Sequence, residues 1–441
     1  MLNCRMSKNV YIYTFGCQMN IHDSEKMLGL LSGNGYSSTE NPENADLIIF
    51  NTCAIREKAE HKFYSQLGRA KILKEKNKDL KIVVAGCVAQ EAKKIIFKKA
   101  PFVDCILGPQ NIHLLNDLLM KKQSIATEEN PSIALNEFTT KRQNNLKAWV
   151  SIMYGCNNFC SYCIVPYTRG REVSRPSSSI VAEIRELARQ GYQEVTLLGQ
   201  NVNSYRSDIG FVDLLKQIDA ININRVRFVT SHPRDFSVDL INAISDLRSL
   251  CEHIHLPLQS GSDSILKAMN RGYSHEEYMK KIDLLKSRIP DIAISTDIIV
   301  GFPGETDEDY LDTIKALKEI RFDGIFAFKY SKRKGTKASE MAGQIPDHIK
   351  VERLAGILSL QEDITYKKNQ ELVGSVLEVL IEGPSETDIN MLSGRTRTNK
   401  IVTIQNSTEI IGSFISVRIE KARHHSLNGV NSVLETALTS Q

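Results

Sequence analysis

Three closely spaced cysteines, Cys156, Cys160 and Cys163, are the residues of this chain best placed to do chemistry. Their C-x3-C-x2-C spacing supplies three thiolates and no fourth, whereas a structural zinc ion requires four ligands. A cubane iron–sulfur cluster has four irons, so three cysteines leave one iron open to a small molecule. Such an iron can deliver an electron to the molecule that it binds. Three unrelated thiols, or a zinc site completed by a distant residue, are the alternatives at this point.

Three further cysteines, Cys17, Cys53 and Cys87, each follow a short apolar run that predicts a β-strand. Open α/β sheets build their ligand sites at the carboxyl ends of parallel strands. We therefore expect these cysteines to converge and to hold a second cluster with an open iron, although chance placement would give the same pattern. The other cysteines have no motif around them and are interpreted as structural or incidental thiols: Cys4, Cys105 and Cys251.

The elements that must position these cysteines follow from strand–helix alternation, which predicts an α/β fold. Residues 8–125 predict a small doubly wound parallel sheet, and the polar stretch 126–145 is typical of a linker. Residues 146–372 predict an open, partial (β/α)6 barrel, because six units are too few for a complete eightfold barrel. Residues 373–437 predict a small β-barrel from short strands with turns between them. The six strands of the central barrel are expected at Ala148–Met153, Glu194–Leu198, Arg225–Thr230, His253–Leu256, Ile292–Val300 and Gly324–Tyr330.

Composition places the chain among ordinary globular proteins. It has 441 residues, of which 41% are hydrophobic and 24% are charged. No apolar run approaches the ~20 residues that cross a bilayer, and the start lacks the apolar core of a signal peptide, so we expect a cytoplasmic location and no membrane partner. Nine cysteines in a reducing compartment favour metal or redox work over disulfides. A net charge of +4 gives no support to nucleic-acid binding through bulk electrostatics.

Several motifs together resemble the methylthiotransferase family of radical S-adenosylmethionine (SAM) enzymes across nearly the whole chain. Gly155–Gly170 is similar to the radical SAM loop of that family, and Gly394–Thr396 is similar to its TRAM domain, a small RNA-binding β-barrel. Gly16–Asn20 and Asn51–Ala59 most resemble the branch that acts on N6-dimethylallyladenosine next to the anticodon of tRNA.

The resemblance implies two [4Fe-4S] clusters and SAM, which would serve both as methyl donor and as radical source. One cluster on Cys156, Cys160 and Cys163 would make the radical, and a second on Cys17, Cys53 and Cys87 would hold the sulfur. The reaction replaces an adenosine C2–H, which has no acidic proton for a general base, with a methylthio group. The implied partners are the tRNA anticodon stem-loop and a low-potential electron donor such as flavodoxin or ferredoxin, and the protein is expected to be a monomer.

The SAM pocket is also carried over from the resemblance. Tyr162 would present backbone atoms to the adenine, Glu194 would meet the SAM amino group, and Ser231 and Thr296 would be ribose or carboxylate partners. Each of these residues is equally well explained as a strand-end cap or turn residue. Other polar residues are expected on the same face of the barrel: Arg169, Arg171, Arg271, His255, Gln259 and the basic run Lys332–Lys334.

Other functions are compatible with the same six cysteines. The modified base could carry a threonylcarbamoyl group, whose carboxylate would require an Arg or Lys, whereas a dimethylallyl group requires an apolar pocket. A ribosomal-protein aspartate is another substrate of related enzymes. A non-enzymatic iron–sulfur sensor that binds RNA, or a zinc-ribbon protein, would lack SAM cleavage altogether.

Overall fold

The structure, a computed structural model, describes residues 8–54, 57–136, 138–386, 388–405 and 410–432. Cys4, Ile55, Arg56 and the end of the last predicted segment, 433–437, lie outside these ranges. None of the helices within the described ranges is both long enough and apolar enough to cross a membrane.

The amino-terminal domain is built on a six-stranded sheet. Its strands are β1 (Lys8–Thr14), β2 (Tyr36–Ser38), β3 (Leu47–Thr52), β4 (Lys81–Gly86), β5 (Cys105–Leu107) and β6 (Ser124–Ala126). All neighbouring strands are parallel, in the order β2-β1-β3-β4-β5-β6. The helices are α1 (Gln18–Ser32), α2 (Glu57–Lys76), α3 (Cys87–Ala92), α4 (Ile95–Lys99) and α5 (Leu115–Leu119).

Helices cover both faces of this sheet, as the doubly wound prediction requires. Helices α2, α3 and α4 pack on one face around Phe50 and Phe63, and α1 and α5 pack on the other around Met27 and Leu115. Every residue of β3 is therefore buried, which explains its nearly continuous apolar sequence.

The central domain is a half-barrel of six parallel strands. They are β7 (Lys147–Ser151), β10 (Glu194–Leu198), β11 (Arg225–Phe228), β12 (His253–His255), β13 (Ala293–Val300) and β14 (Gly324–Lys329), while β8 (Met153–Tyr154) and β9 (Val173–Ser174) form a separate pair. They form two sheets, β11-β10-β7 and β12-β13-β14, which a bridge between Val226 and Leu250 connects. Because β7 and β14 are the outer edges and are not paired with each other, the predicted open barrel is confirmed.

Helices cover the convex side of the half-barrel. They are α7 (Ser177–Arg189), α8 (Phe211–Asp219), α9 (Val238–Asp246), α10 (Asp263–Ala268), α11 (His275–Arg288), α12 (Asp307–Ile320) and α13 (Asp347–Gln370). The short helix α6 (Val165–Thr168) lies instead in the loop that carries the cysteine triplet. The largest apolar core lies between the strands and these helices, and it takes one residue in two from each strand. The alternate strand residues face the concave side, where barrels carry their chemistry.

The carboxyl-terminal domain is a closed five-stranded barrel with its own small core. Its strands are β15 (Val376–Pro384), β16 (Met391–Thr396), β17 (Ile401–Gln405), β18 (Phe414–Ala422) and β19 (Leu427–Asn431). It docks on the half-barrel beside the amino-terminal ends of the strands. The ion pairs that hold it there are Lys147–Glu382 (2.8 Å), Arg225–Glu378 (2.8 Å), Glu252–Arg397 (2.7 Å) and Asp323–Lys400 (2.8 Å).

Candidate functional site

The cysteine triplet lies in a loop that follows β8, at the carboxyl-terminal mouth of the half-barrel. The loop is held from both sides, since the Cys156 amide donates to the Gly170 carbonyl (3.2 Å) and the Ser161 amide donates to the Met269 carbonyl (2.9 Å). Burial and the neighbouring Cys160 thiol raise the pKa of Cys163 to about 12. The thiols of the loop therefore lie close enough to influence one another, and metal binding would release their protons.

A buried arginine provides the charge that such a group of thiolates needs. Arg271 is only 4% exposed, and its Nη1 lies 3.3 Å from the Cys160 Sγ and 3.3 Å from the Tyr162 hydroxyl. Its other contacts, to Tyr273 (3.0 Å) and to the Pro257 carbonyl (3.1 Å), fix the guanidinium in this position. A cation in contact with a cluster ligand offsets the negative charge that three thiolates would bring into the interior.

The second set of cysteines lies at the carboxyl ends of three adjacent strands, β1, β3 and β4. Gly16 allows the close approach, because it has φ +118° and an added Cβ would lie 2.9 Å from the Cys53 Sγ. Asn20 fixes the first loop against the second: its Oδ1 accepts from the Cys17 Sγ (3.4 Å), and its Nδ2 donates to the Thr52 carbonyl (3.0 Å). Cys87 follows β4 directly as the first residue of α3.

The two cysteine sets lie on the two sides of one contact between the amino-terminal domain and the half-barrel. Helix α3, which begins at Cys87, packs against α6, which begins two residues after Cys163. Arg169 lies just beyond α6 and is 4% exposed, and its Nη2 is 3.0 Å from the Asp23 carboxylate. Burial opposes the Arg169 charge, but nearby Cys87, Asp23 and Cys17 raise its pKa overall. Cys17 itself packs against an apolar cluster at the half-barrel mouth that includes Tyr154 and Leu198.

A crevice too narrow to admit a water molecule lies beside Arg169, where the two domains meet. It is lined by Pro109, Gln110, Tyr154, Arg169 and Gln200. The Gln110 side chain donates to the Arg169 carbonyl across this space (2.7 Å), so residues of both domains form its walls.

The chemistry of the donors fits iron–sulfur clusters better than single metal ions. All eight cysteines that the structure describes are free thiols. Among the same residues, no group of three or more His, Cys, Asp or Glu side chains is arranged to hold one metal ion. A zinc ion with ~2.3 Å bonds needs its sulfurs within about 4 Å of one another, whereas cubane ligands bind different irons and are spaced by the cluster.

Buried polar atoms form a group at the strand ends beside the triplet. The following atoms have no hydrogen-bond partner among the described residues: Asn201 Oδ1, Ser231 Oγ, His232 Nε2 and Gln259 Oε1. These residues are between 1% and 6% exposed. Since buried polar groups are nearly always paired, these atoms are available to water or to a polar ligand at the mouth of the half-barrel.

Comparison with known proteins agrees with these features. Residues 150–317 match the radical SAM superfamily, residues 9–108 match the uncharacterized protein family UPF0004, and residues 370–430 match the TRAM domain. A protein of Thermodesulfovibrio yellowstonii named tRNA-2-methylthio-N(6)-dimethylallyladenosine synthase is 55% identical over 86% of this chain and 88% of its own length. A protein of the same name from Caldicellulosiruptor saccharolyticus is 51% identical over 86% of this chain and 83% of its own.

The chain belongs to the tRNA-2-methylthio-N(6)-dimethylallyladenosine synthase family. A solved structure also shares the fold: the radical SAM methyltransferase TsrM from Kitasatospora setae, with cobalamin and a [4Fe-4S] cluster bound, has a TM-score of 0.56 at 14% identity. That match covers 76% of this chain and 74% of TsrM.

Two of the four predicted SAM contacts of this synthase family member lie at the mouth of the half-barrel. Ser231 lies just after β11, and its unpaired, buried hydroxyl faces no competing partner within the described chain. Tyr162 lies within the cysteine loop, and the contact of its backbone with the adenine stays a prediction. The Tyr162 ring is packed against Met269 and Phe302, and its hydroxyl accepts from Arg271.

The expectations for Glu194 and Thr296 are corrected by the structure. Glu194 is the first residue of β10, about 13 Å of strand from the carboxyl end, and its carboxylate accepts from Arg227 Nε (2.9 Å). Thr296 is in the middle of β13, and its hydroxyl donates to the Leu256 carbonyl (2.9 Å) and accepts from the Leu258 amide (2.8 Å). Both residues are structural because their polar atoms are already engaged.

Residues that the sequence reasoning missed lie in the loop directly after β10. Gln200 Oε1 accepts from the Gly155 amide (2.5 Å), which connects this loop to the start of the cysteine loop. Asn201 donates to the Asp235 carboxylate (2.7 Å) and keeps its buried carbonyl unpaired among the described residues. The run Gly199–Asn201 after a buried strand could have indicated them, since ligands bind where parallel strands end.

Proposed function

We propose that this protein transfers a methylthio group to C2 of N6-dimethylallyladenosine next to the anticodon of tRNA, with SAM as methyl donor and radical source. The observation that supports this proposal most directly is the placement of two cysteine sets, from two domains, at one contact between those domains. The name that the similar relatives carry agrees with this reaction and not with the threonylcarbamoyl, ribosomal-protein or sensor alternatives.

The triplet Cys156, Cys160 and Cys163 would hold the SAM-binding [4Fe-4S] cluster. A cluster held there would supply the electron for reductive cleavage of SAM, and the carbon radical that results would remove the C2 hydrogen that no base can take. Arg271 offsets the charge of the thiolates beside it. Ser231 and Asn201 orient SAM through buried polar atoms that have no partner among the described residues.

A second cluster on Cys17, Cys53 and Cys87 would hold the sulfur on its open iron while that sulfur is methylated and transferred. Arg169 and Asp23 form a buried ion pair beside these thiols, with side chains 5% and 3% exposed, which excludes water and keeps the charge balanced. The Asn20 side chain holds the Cys17 and Cys53 loops at a constant separation. These roles explain why polar residues of α1 are buried at this position.

The TRAM barrel and the rim of the half-barrel would bind the tRNA. Lys332 and Lys334 follow β14 and are exposed, whereas Arg333 between them lies 3.6 Å from Glu60 of α2. Lysines at the mouth can contact phosphate while the target base leaves the stack. A flavodoxin or ferredoxin as electron donor, a monomeric state and a cytoplasmic location stay predictions.

The test compares Cys160→Ala with Cys87→Ala after anaerobic reconstitution with iron, sulfide, dithionite and SAM. Two full cubanes require about eight irons per chain, and each variant should retain about four. Cys160→Ala should lose both 5′-deoxyadenosine and methylthio product, whereas Cys87→Ala should form 5′-deoxyadenosine without product. Cys105→Ala, a buried thiol away from both sets, is the matched control and should retain both activities. RNA binding by the wild type without any SAM cleavage would support the sensor alternative instead.

A further inference from the structure

The concave wall formed by β13 and β14 carries an exposed apolar surface. Parallel register places Asp297 beside Phe326 and Ile299 beside Phe328. The neighbours of opposite parity, Ile298, Ile325 and Ala327, belong to or pack against the core under the outer helices. Asp297, Ile299, Phe326 and Phe328 therefore face the interior of the half-barrel.

The two phenylalanines are exposed to an unusual degree for a barrel interior. Phe326 is 53% exposed and Phe328 is 39% exposed, because β14 is the edge strand and none of the described strands closes the gap to β7. Two large exposed side chains next to each other on one face mark a binding surface more often than a folding requirement. We call Ile299, Phe326 and Phe328 the aromatic wall.

The aromatic wall is continuous with the cysteine loop. Ile299 packs against a small apolar cluster that contains Phe302 and Tyr330, and Tyr162 of the cysteine loop packs against the same cluster. A substrate base at the mouth of the half-barrel would therefore have the aromatic wall within reach of its substituent.

The charges around the aromatic wall select the kind of substituent. Asp297 lies next to Phe326 with its side chain 30% exposed, and its carboxylate is 3.4 Å from the His255 Nε2. Arg227, an inward-facing arginine of the same half-barrel, is occupied by Glu194 and by the Thr396 and Arg397 carbonyls. The surface thus consists of apolar side chains, the His255 ring packed edge-on against Phe326, and one carboxylate. It suits an uncharged hydrocarbon group, and the carboxylate repels an anionic one.

We propose that the aromatic wall binds the dimethylallyl group of the substrate adenosine, and that Asp297 discriminates against a threonylcarbamoyl group through its negative charge. This inference rests on the proposed function and specifies how one adenosine modification is chosen over another. A hydrocarbon group gains affinity from apolar contact, and a carboxylate next to Asp297 loses it, so the two contributions favour the same substrate.

The experiment measures binding without turnover. Three anticodon stem-loop RNAs of one sequence would carry dimethylallyladenosine, plain adenosine or threonylcarbamoyladenosine at the target position. Their Kd values are measured with the reconstituted full-length protein and SAM in the absence of reductant. The wild type should bind the dimethylallyl RNA at least tenfold more tightly than the plain RNA, since even one methylene in an apolar pocket is worth about 10–200-fold.

The variants assign this preference to residues. Phe326→Ala and Phe328→Ala should each reduce the preference for dimethylallyl several-fold while leaving the Kd of the plain RNA unchanged. Leu311→Ala, at a 60% exposed leucine on the outer helix α12, is the matched control and should keep the preference. Asp297→Asn should improve binding of the threonylcarbamoyl RNA and leave the other two RNAs unaffected.

The results separate this inference from the proposed function. If methylthio product forms but the wild type shows no preference, or both phenylalanine variants keep the preference, the inference is overturned and the proposed function stands. If no RNA is methylthiolated by the wild type, the proposed function fails first. Because Phe326 and Phe328 are exposed, we expect both alanine variants to fold. An unchanged Kd for the plain RNA would show that they do.

Discussion

Replacing Glu194 by Gln tests whether this residue stabilises the domain interface or binds SAM. Glu194 and Arg227 side chains are each 5% exposed and 2.9 Å apart. Removing one partner of such a buried pair costs ~3–5 kcal/mol, because the remaining charge stays buried. Arg227 keeps hydrogen bonds to the Thr396 and Arg397 carbonyls at 2.9 and 2.7 Å. We therefore expect Glu194→Gln to lower the free energy of unfolding by about 3 kcal/mol, the lower end of that range.

The assay is urea unfolding followed by fluorescence of Trp149, the only tryptophan in the chain, which lies on β7 next to β10. With a slope of ~3 kcal/mol per molar urea, Glu194→Gln should lower the midpoint by about 1 M. The double variant with Arg227→Met should show a smaller loss than the sum of the single variants, because the two residues interact. Glu276→Gln, in an exposed pair with Lys280, is the control and should leave the midpoint unchanged.

SAM binding distinguishes the two roles. If Glu194 bound the SAM amino group, the variant would lose a charged hydrogen bond of ~1.5–3 kcal/mol, and the Kd of SAM would rise tenfold or more. We expect less than a twofold change. A tenfold weaker Kd with an unchanged urea midpoint would refute the structural role of this carboxylate.

Two further predictions concern the mouth and the TRAM interface. Burial, with Arg271, Arg234 and Lys281 nearby, lowers the pKa of His232 to about 2, so the folded protein holds this ring neutral. The unfolded chain takes up that proton below pH ~6.5, and stability is lost as the pH falls from there. Between pH 8 and pH 5.5, the free energy of unfolding measured with urea should fall by about 1.4 kcal/mol less in His232→Asn than in the wild type. Equal decreases would contradict the lowered pKa of His232. Arg397→Ala, which removes the contacts to Glu252 (2.7 and 2.9 Å), should speed proteolytic release of the TRAM barrel without altering SAM cleavage in the absence of RNA, whereas the exposed Lys421→Ala should not.

The regular elements could be predicted from sequence because their apolar patterns are long. All six expected strands of the half-barrel are present, with ends that differ by at most two residues. The amino-terminal sheet also contains two short strands that the sequence pattern does not predict, Tyr36–Ser38 and Ser124–Ala126. Three-residue strands that are partly polar give no periodic pattern, so only their pairing with β1 and β5 shows them.

The buried polar contacts could not be predicted. The stretch 126–145 has the composition of a linker, yet Ile133 and Ala134 are buried at the mouth and Arg142 pairs with Glu183 (2.6 Å). On α1, His22 through Lys26 are all under 5% exposed, and the Lys26 ammonium donates to the Tyr154 hydroxyl (2.9 Å). Such residues are normally exposed, and only the opposing domain, which the local sequence does not reveal, supplies their partners.

The grouping of the cysteines in the candidate site could be predicted from the sequence, whereas the ligand contacts could be predicted only in part. The spacing of the triplet, and the position of the other three cysteines directly after strand-forming runs, are local features. The sequence alone is therefore enough to group the six thiols into two sets. Glu194 lies at the end of β10 opposite to the predicted site, because a motif match does not say which end of a strand carries the chemistry. Asn201, just past the other end, holds the unpaired atom that a polar ligand needs.

The position of the TRAM barrel limits how an RNA can be held. It covers the amino-terminal ends of the strands, and the eight residues of β13 put roughly 26 Å between that end and the cysteine mouth. An RNA that contacts both the TRAM barrel and the cysteine mouth must run along the outside of the half-barrel. The enzyme would therefore respond to the length of RNA between these two contacts. Shortening the stem of the substrate RNA should therefore raise KM abruptly once the stem no longer reaches the TRAM barrel, while kcat at saturation stays the same.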